Sequence, residues 1–154
     1  MSKPSVLDAV KIQANVLIPV VKALEAELGT ERAHAIVGEA IAKSYAEFRA
    51  SRTTDRNTHP GEGAGGAPEF PIESETVEHT GTAYGFDVHG CAFADWFRSI
   101  GEPGIGALMT CGVDFAVEKT LRPDWEFRRT QTRMQGADHC DFRWRLRAAR
   151  PSGE

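Results

Sequence analysis

Three cysteines, Cys91, Cys111 and Cys140, are the residues of this 154-residue chain best suited to chemistry. A thiolate is both a nucleophile and a soft metal ligand, so the surroundings of each sulfur decide between catalysis, metal binding and plain burial. Cys91 follows a strand-like segment ending in His89 and opens a helical one, where free backbone N–H groups and the helix dipole stabilise a thiolate. A Cys–His pair forms there if the turn folds His89 back alongside. The plain alternative is a small buried hydrophobe, as most free cysteines are. Cys111 and Asp114 are spaced i, i+3 and share a helix face, with Glu118 one turn on, so a thiol and a carboxylate can converge. Leu108, Cys111 and Phe115 would equally form one apolar stripe.

Cys140 stands in the run Asp138-His139-Cys140-Asp141, and a strand sends neighbouring side chains to opposite faces. Cys140 therefore goes inward with Phe142, Trp144 and Leu146, whereas His139 and Asp141 face the other way unless a bulge intervenes. Asp138 reads as a turn residue. In the simplest register Arg129 and Arg133 of the partner strand fall on the face of Cys140, able to hold a carboxylate; solvated arginines are the plain alternative. Cys91, Cys111 and Cys140, with one or two of Asp114, His89 and His139, also make a donor set that zinc would take. No Cys-x-x-Cys or His-Glu-x-x-His spacing is present, so a zinc site requires convergence in space. His59 and His79 have no evident partner.

The elements that must position these residues follow from periodicity. Val6, Val10, Leu17, Val20, Leu24 and Leu28 recur at helical spacing and Gly29 follows as a C-cap. Thr30 caps a second amphipathic helix marked by Ile36, Ala40, Ile41, Tyr45 and Phe48, so residues 1–52 read as an antiparallel helical hairpin. Residues 53–71 turn to Thr, Asn, Gly and Pro and read as a flexible loop or lid. Its Gly61, Gly63 and Gly66 match the letters of G-x-G-x-x-G, but no strand precedes and no helix follows, so a dinucleotide cradle is rejected. Residues 72–149 form the cysteine-bearing part. Thr76 to His89, with alternating Tyr84, Phe86 and Val88, reads as one strand or a short hairpin bent at Gly81 or Gly85. A helix follows over 91–100, and Pro103 opens another running to about Thr120, which Gly112 divides. Trp125–Met134 and Cys140–Arg147 alternate as two strands of an antiparallel hairpin. The expected class is α+β: an N-terminal helical hairpin packed with an antiparallel sheet and short inserted helices, in one domain.

Composition excludes several functions. The chain is 41% hydrophobic and 26% charged, ordinary for a globular protein, and its formal net charge of −4 gives no reason to bind nucleic acid or an anionic membrane. Small molecules are the expected partners, and the reading leaves room for a homo-oligomer. No stretch approaches a membrane span, the start lacks a signal-peptide pattern, and three cysteines cannot pair off, so a cytoplasmic home with reduced thiols is expected.

Taken as an ordered set, Gly90-Cys91, Trp96-Phe97, Ile100-Gly101-Glu102, Cys111-Gly112-Val113-Asp114, Phe127-Arg128-Arg129-Thr130-Gln131-Thr132 and Gly136-Ala137-Asp138-His139-Cys140-Asp141-Phe142-Arg143 resemble the L-2-amino-thiazoline-4-carboxylic acid hydrolase family. The likeness runs from about Tyr84 to Arg147. It implies a hydrolase that opens a cyclic amidine or amide ring, with Cys91, Cys111, Asp114 and Cys140 at the matching positions and Thr130 and His139 beside them.

Two mechanisms fit that chemistry. A thiolate, best placed at Cys91, attacks the ring carbon while Asp114 or a histidine such as His139 moves protons; or zinc on the cysteines activates water. Arg129, with Thr130 and His89 nearby, would orient the substrate. The first mechanism is the preferred expectation. The rival class is a small-molecule or metal-binding sensor without turnover, and the blandest reading makes all three cysteines core residues.

Overall fold

A computed structural model describes residues 2–62 and 70–148 of the chain. The middle of the expected lid, with Gly63, Gly66 and Pro68, lies outside the described residues. Helix α1 (Val6–Leu28) begins where the Ser5 hydroxyl accepts the Asp8 amide at 3.0 Å and stops at Gly29, whose φ of +79° is left-handed. Helix α2 (Thr30–Ser51) returns beside it. Fully buried Ala14 and Ala33 mark their inner faces, Glu25 holds His34 at 2.6 Å, and Val21 and Val37 close on Ile105. Val20 and Leu28, expected on the inner stripe, are instead 50% and 46% exposed; the buried line runs through Ala14 and Val21, one residue out of phase with Val20.

The sheet has the antiparallel order β1-β2-β4-β3. Strands β1 (Ile72–Thr80) and β2 (Ala83–Cys91) form a hairpin that bends at Gly81, not Gly85. Strand β4 (Cys140–Leu146) pairs with β2 so that Tyr84 faces Trp144, Phe86 faces Phe142 and Val88 faces Cys140, and β3 (Trp125–Arg128) adds Phe127 beside Trp144. These cross-strand aromatics build one apolar face. It is closed by helix α5 (Val113–Leu121), whose Glu118 accepts the Trp144 indole N–H at 2.9 Å, and by His59, which meets Trp125 edge-on. The opposite face carries Asp87, Arg143 and Arg145, with Arg143 donating to Asp87 at 2.7 Å. The class is α+β, as the periodicities imply.

Two elements differ from expectation, and both differences shape the site. The helix from Pro103 is cut into a short α4 (Pro103–Gly106), a π-turn over Ala107–Cys111 and then α5, with Gly112 at the junction. The Gly112 amide reaches back five residues to the Ala107 carbonyl at 2.7 Å, and the Thr110 hydroxyl donates to the Gly106 carbonyl at 2.8 Å. Such turns insert a residue and re-aim side chains, often at functional sites. Gly106 permits the tight packing: a Cβ there would sit 2.5 Å from Cγ of Phe97 and 2.8 Å from Sδ of Met134.

The third strand stops at Arg128 and does not reach Met134. The Asp141 carboxylate takes the amides of Thr130 and Gln131, each at 2.9 Å, and the Thr130 hydroxyl at 2.5 Å. Backbone donors that would have extended the ladder are satisfied by a side chain instead. Thr132 then accepts the Gln135 amide at 3.2 Å and caps a 3-10 turn over Arg133–Gln135. Arg129 and Arg133 are consequently not strand neighbours facing Cys140.

Candidate functional site

Cys91 occupies the joint where β2 becomes helix α3 (Ala92–Ser99), and serves as its N-cap: Sγ accepts the Ala94 amide at 3.5 Å. The sulfur is half-buried and packs against the cluster of Ala14, Phe93, Ala94, Phe97 and Met134, on which Cys111 also packs. On its outer side Cys91 lines an open groove of about 370 Å³ with Phe70, Glu73 and Asp95 among the other walls. A ring the size of a small heterocycle fits such a volume. Burial pushes the Cys91 thiol above its ordinary pKa, outweighing the helix-start amides of Ala94 and Phe93 that favour the thiolate. The helix end was expected to stabilise the thiolate; the net shift has the opposite sign, so a nucleophilic role for this sulfur needs a base.

The sequence reading passed over one candidate for such a base. Asp95 is four residues past Cys91, one helical turn on, and lines the same groove. The signal was present as Cys-x-x-x-Asp at a strand-to-helix joint. Glu73, across the groove on β1, adds a second carboxylate.

Cys111 and Asp114 are placed together as their spacing implies, with Arg129 locking them. The Arg129 side chain is only 5% exposed; it donates to Asp114 at 2.5 Å and to the Cys111 carbonyl at 2.8 Å. Its guanidinium carbon lies 5.1 Å from both the Phe115 and the Phe142 ring centres. Arg129, named as a substrate clamp, has its guanidinium committed to protein. Asp114 keeps 36% of its side-chain surface, yet protein encloses the carboxylate on its other sides. That burial, opposed by Arg129, pushes its pKa up to about 6. Burial pushes Cys111 to about 11 against the Thr110 hydroxyl 3.5 Å away. Cys140 is buried too, its sulfur accepting the Arg133 amide at 3.2 Å, and burial raises its thiol as well. It lies within electrostatic reach of both Cys91 and Cys111.

The histidines stand elsewhere. His139 contacts Asp138 at 2.8 Å and approaches Asp87 at 3.8 Å, and its ring centre is 5.8 Å from that of His89. His89, half-exposed, lies 3.7 Å from Glu75. Strand alternation thus separates this pair from Cys140, and His89 does not fold back on Cys91. Among the described residues no three His, Cys, Asp or Glu side chains are gathered as ligands of one ion. The donor set suggested for zinc does not assemble in this geometry.

The match to a family model covers residues 9–144, well beyond the cysteine block. The chain belongs to the L-2-amino-thiazoline-4-carboxylic acid hydrolase family. No curated protein matches it. In this family member the Arg-Thr-Gln-Thr and His-Cys-Asp-Phe-Arg segments clasp each other: Arg129 ties the loop to the π-turn, Thr130 and Gln131 bind Asp141, Gln131 reaches the His139 carbonyl at 3.1 Å, and Arg143 binds Asp87. Burial outweighed by these donors holds Asp141 below the usual carboxylate range: enclosure pushes it up, but the Thr130 hydroxyl and the Gln131 and Thr130 amides pull it further down. These motif residues are therefore bound up in building the loop.

A thiol at about 11 is alkylated slowly. At pH 8 its thiolate fraction is about one in a thousand, so iodoacetamide should label Cys111 roughly 200-fold more slowly than a free cysteine, the rate climbing tenfold per pH unit. Peptide mass spectrometry reads this directly, and labelling of Cys111 at the free-cysteine rate would contradict its burial.

Proposed function

We propose that this protein hydrolyses a small cyclic amidine, 2-aminothiazoline-4-carboxylate or a close relative, with Cys91 as nucleophile and Asp95 as proton carrier. The observation that carries this reading is the groove lined by both Cys91 and Asp95, one helical turn apart, in a chain of this family. The Cys91 thiol passes its proton to Asp95 as the sulfur adds to the amidine carbon. The ring carbon–sulfur bond breaks, the departing sulfur takes that proton, and an open chain stays on Cys91 as an isothiourea. Water then adds to the same carbon, giving a proton to Asp95. The bond to Cys91 breaks, the sulfur is reprotonated, and a urea bearing a free thiol leaves. One ring and one water give one product.

Cys111, Asp114 and Cys140 support this site from behind, as enclosed groups that fix the π-turn and the 3-10 turn beside Cys91. The experiment is direct: purified protein is incubated with 2-amino-2-thiazoline-4-carboxylate, and free thiol and ureido product are followed together. Equal release of both at a catalytic rate is expected. Failure to consume this ring and a panel of cyclic amidines and amides would overturn the reading and favour a module that binds without turnover.

A further inference from the structure

The groove beside Cys91 has a one-sided composition. Phe70, Glu73, Gly90 and Asp95 line it with Cys91, and no Lys, Arg or His is among the described residues that line it. Strand β1 carries Glu73, Glu75 and Glu78, and two of them are committed: Glu75 lies 3.7 Å from His89, and Glu78 pairs with Arg145. The Glu73 carboxylate has neither an ion pair nor a hydrogen bond among the described residues. Glu73 is the cross-strand partner of Gly90, and its side chain lies over that glycine: a Cβ at Gly90 would sit 2.9 Å from Oε2 and 3.2 Å from Cβ of Glu73. The missing side chain thus gives the carboxylate its place, next in sequence to Cys91. Gly90 is not among the glycines with positive φ, so it serves space here and not backbone freedom.

Phe70 supplies the apolar wall. Its ring is exposed and meets the buried Phe93 ring at 72°, with centres 6.3 Å apart. The wall is fixed to the start of α3, because the Ala92 amide donates to the Pro71 carbonyl at 3.0 Å. An aromatic ring and carboxylates with no cation between them attract a flat organic cation, which lies against the ring and gives its in-plane N–H groups to a carboxylate. A protonated cyclic amidine is such a cation. We infer that the groove recognises its ligand as a planar amidinium, with Glu73 as the specificity-determining carboxylate and Phe70 as the ring it lies against, and that it offers an anionic substituent no partner. The inference rests on the proposed hydrolase reading for the identity of the ring, but concerns recognition and not turnover. Glu73 takes the amidinium, which leaves Asp95 to carry the proton of Cys91.

The test uses binding, so that it survives a failure of catalysis. The full-length Cys91→Ala protein is titrated calorimetrically near neutral pH with three probes: 2-amino-2-thiazoline, thiazolidin-2-one, which has a neutral carbonyl in place of the amidine, and 2-amino-2-thiazoline-4-carboxylate. A cation over an exposed ring and a charge pair in an open groove each contribute about a factor of three, so the amidinium should bind about tenfold tighter than the neutral ring. The carboxylated ring should bind no tighter than the bare one. Glu73→Gln should cut the preference for the cation about threefold, and Phe70→Leu should do the same. Gly90→Ala, which crowds the Glu73 carboxylate, should lower the preference as Glu73→Gln does and add nothing to it. Equal or tighter binding of the neutral ring, tighter binding of the carboxylated ring, no binding of any probe, a preference unchanged by Glu73→Gln or by Phe70→Leu, or a Gly90→Ala loss additive with Glu73→Gln overturns the inference. Glu73-dependent binding with no hydrolysis by the wild type sinks the hydrolase reading alone, whereas hydrolysis by the wild type with no preference for the cation sinks the Glu73 and Phe70 assignment alone.

Discussion

Cys91→Ser is expected to fold as well as the wild type and to lose about a thousandfold or more of kcat, the scale on which a positioned nucleophile and its proton transfer act. The two halves of this result come from the same position. Cys91 caps α3 through a sulfur 3.5 Å from the Ala94 amide, a long and weak contact. Serine is among the best N-caps and its shorter oxygen can accept that amide, so stability should hold or rise slightly. Chemistry, in contrast, loses the group that adds to the amidine carbon. Thermal melts read the first half and thiol release reads the second. The same exchange at Cys111 or Cys140 places a hydroxyl in an enclosed site, so it should lower the melting temperature while leaving kcat within about tenfold, because an unpaired buried hydroxyl disturbs packing and not the reacting bond. A Cys91→Ser protein retaining more than a tenth of wild-type kcat would remove Cys91 from the mechanism and leave only the family match behind the assignment.

Local patterns told most of the architecture, because they report directly on burial. Alternation in Tyr84-Phe86-Val88 and in Cys140-Phe142-Trp144 placed the apolar face of the sheet, and the same rule separated His139 from Cys140. Helix punctuation by Gly29, Gly101 and Pro103 was equally plain. Where side chains replace backbone partners, periodicity fails. The strand after Trp125 stops because Asp141, eleven residues beyond Thr130, satisfies the amides that a ladder would have used. The π-turn depends on Thr110 bonding back to Gly106 and on Gly112 at the junction, neither of which changes the apolar spacing. The same long-range contacts decided the fate of the arginines. Arg129 and Arg133 look alike in the sequence, yet one is sandwiched between Phe115 and Phe142 and the other keeps an unpaired N–H. The activation of Cys91 was misjudged for a related reason: a helix start favours a thiolate, but the degree of enclosure is a tertiary property and here it is the larger effect.

Arg129→Met should be the most destabilising single change in the site, costing about 3 kcal/mol, at the low end for breaking a buried ion pair because Asp114 keeps 36% of its side-chain surface. Methionine preserves much of the volume between Phe115 and Phe142 but supplies neither the bond to Asp114 nor the one to the Cys111 carbonyl. The carboxylate is then enclosed without a countercharge, and pH exposes the cause. In the wild type burial already lifts Asp114 from its ordinary value to about 6 despite Arg129. A carboxyl whose folded pKa exceeds its unfolded one favours the folded state fully when protonated, and loses that contribution as pH rises through the folded pKa. Removing Arg129 takes away a group that lowers this pKa, so the variant's deficit should be larger at pH 7.5 than at pH 5, where Asp114 is mostly protonated in both proteins. Adding Asp114→Asn should return part of the lost stability at pH 7.5 and little at pH 5. Denaturant unfolding of the four proteins at the two pH values measures the coupling. A pH-independent deficit, unrelieved by Asp114→Asn, would mean that Arg129 acts through its stacking and its carbonyl bond alone, with Asp114 a bystander to the geometry of the π-turn.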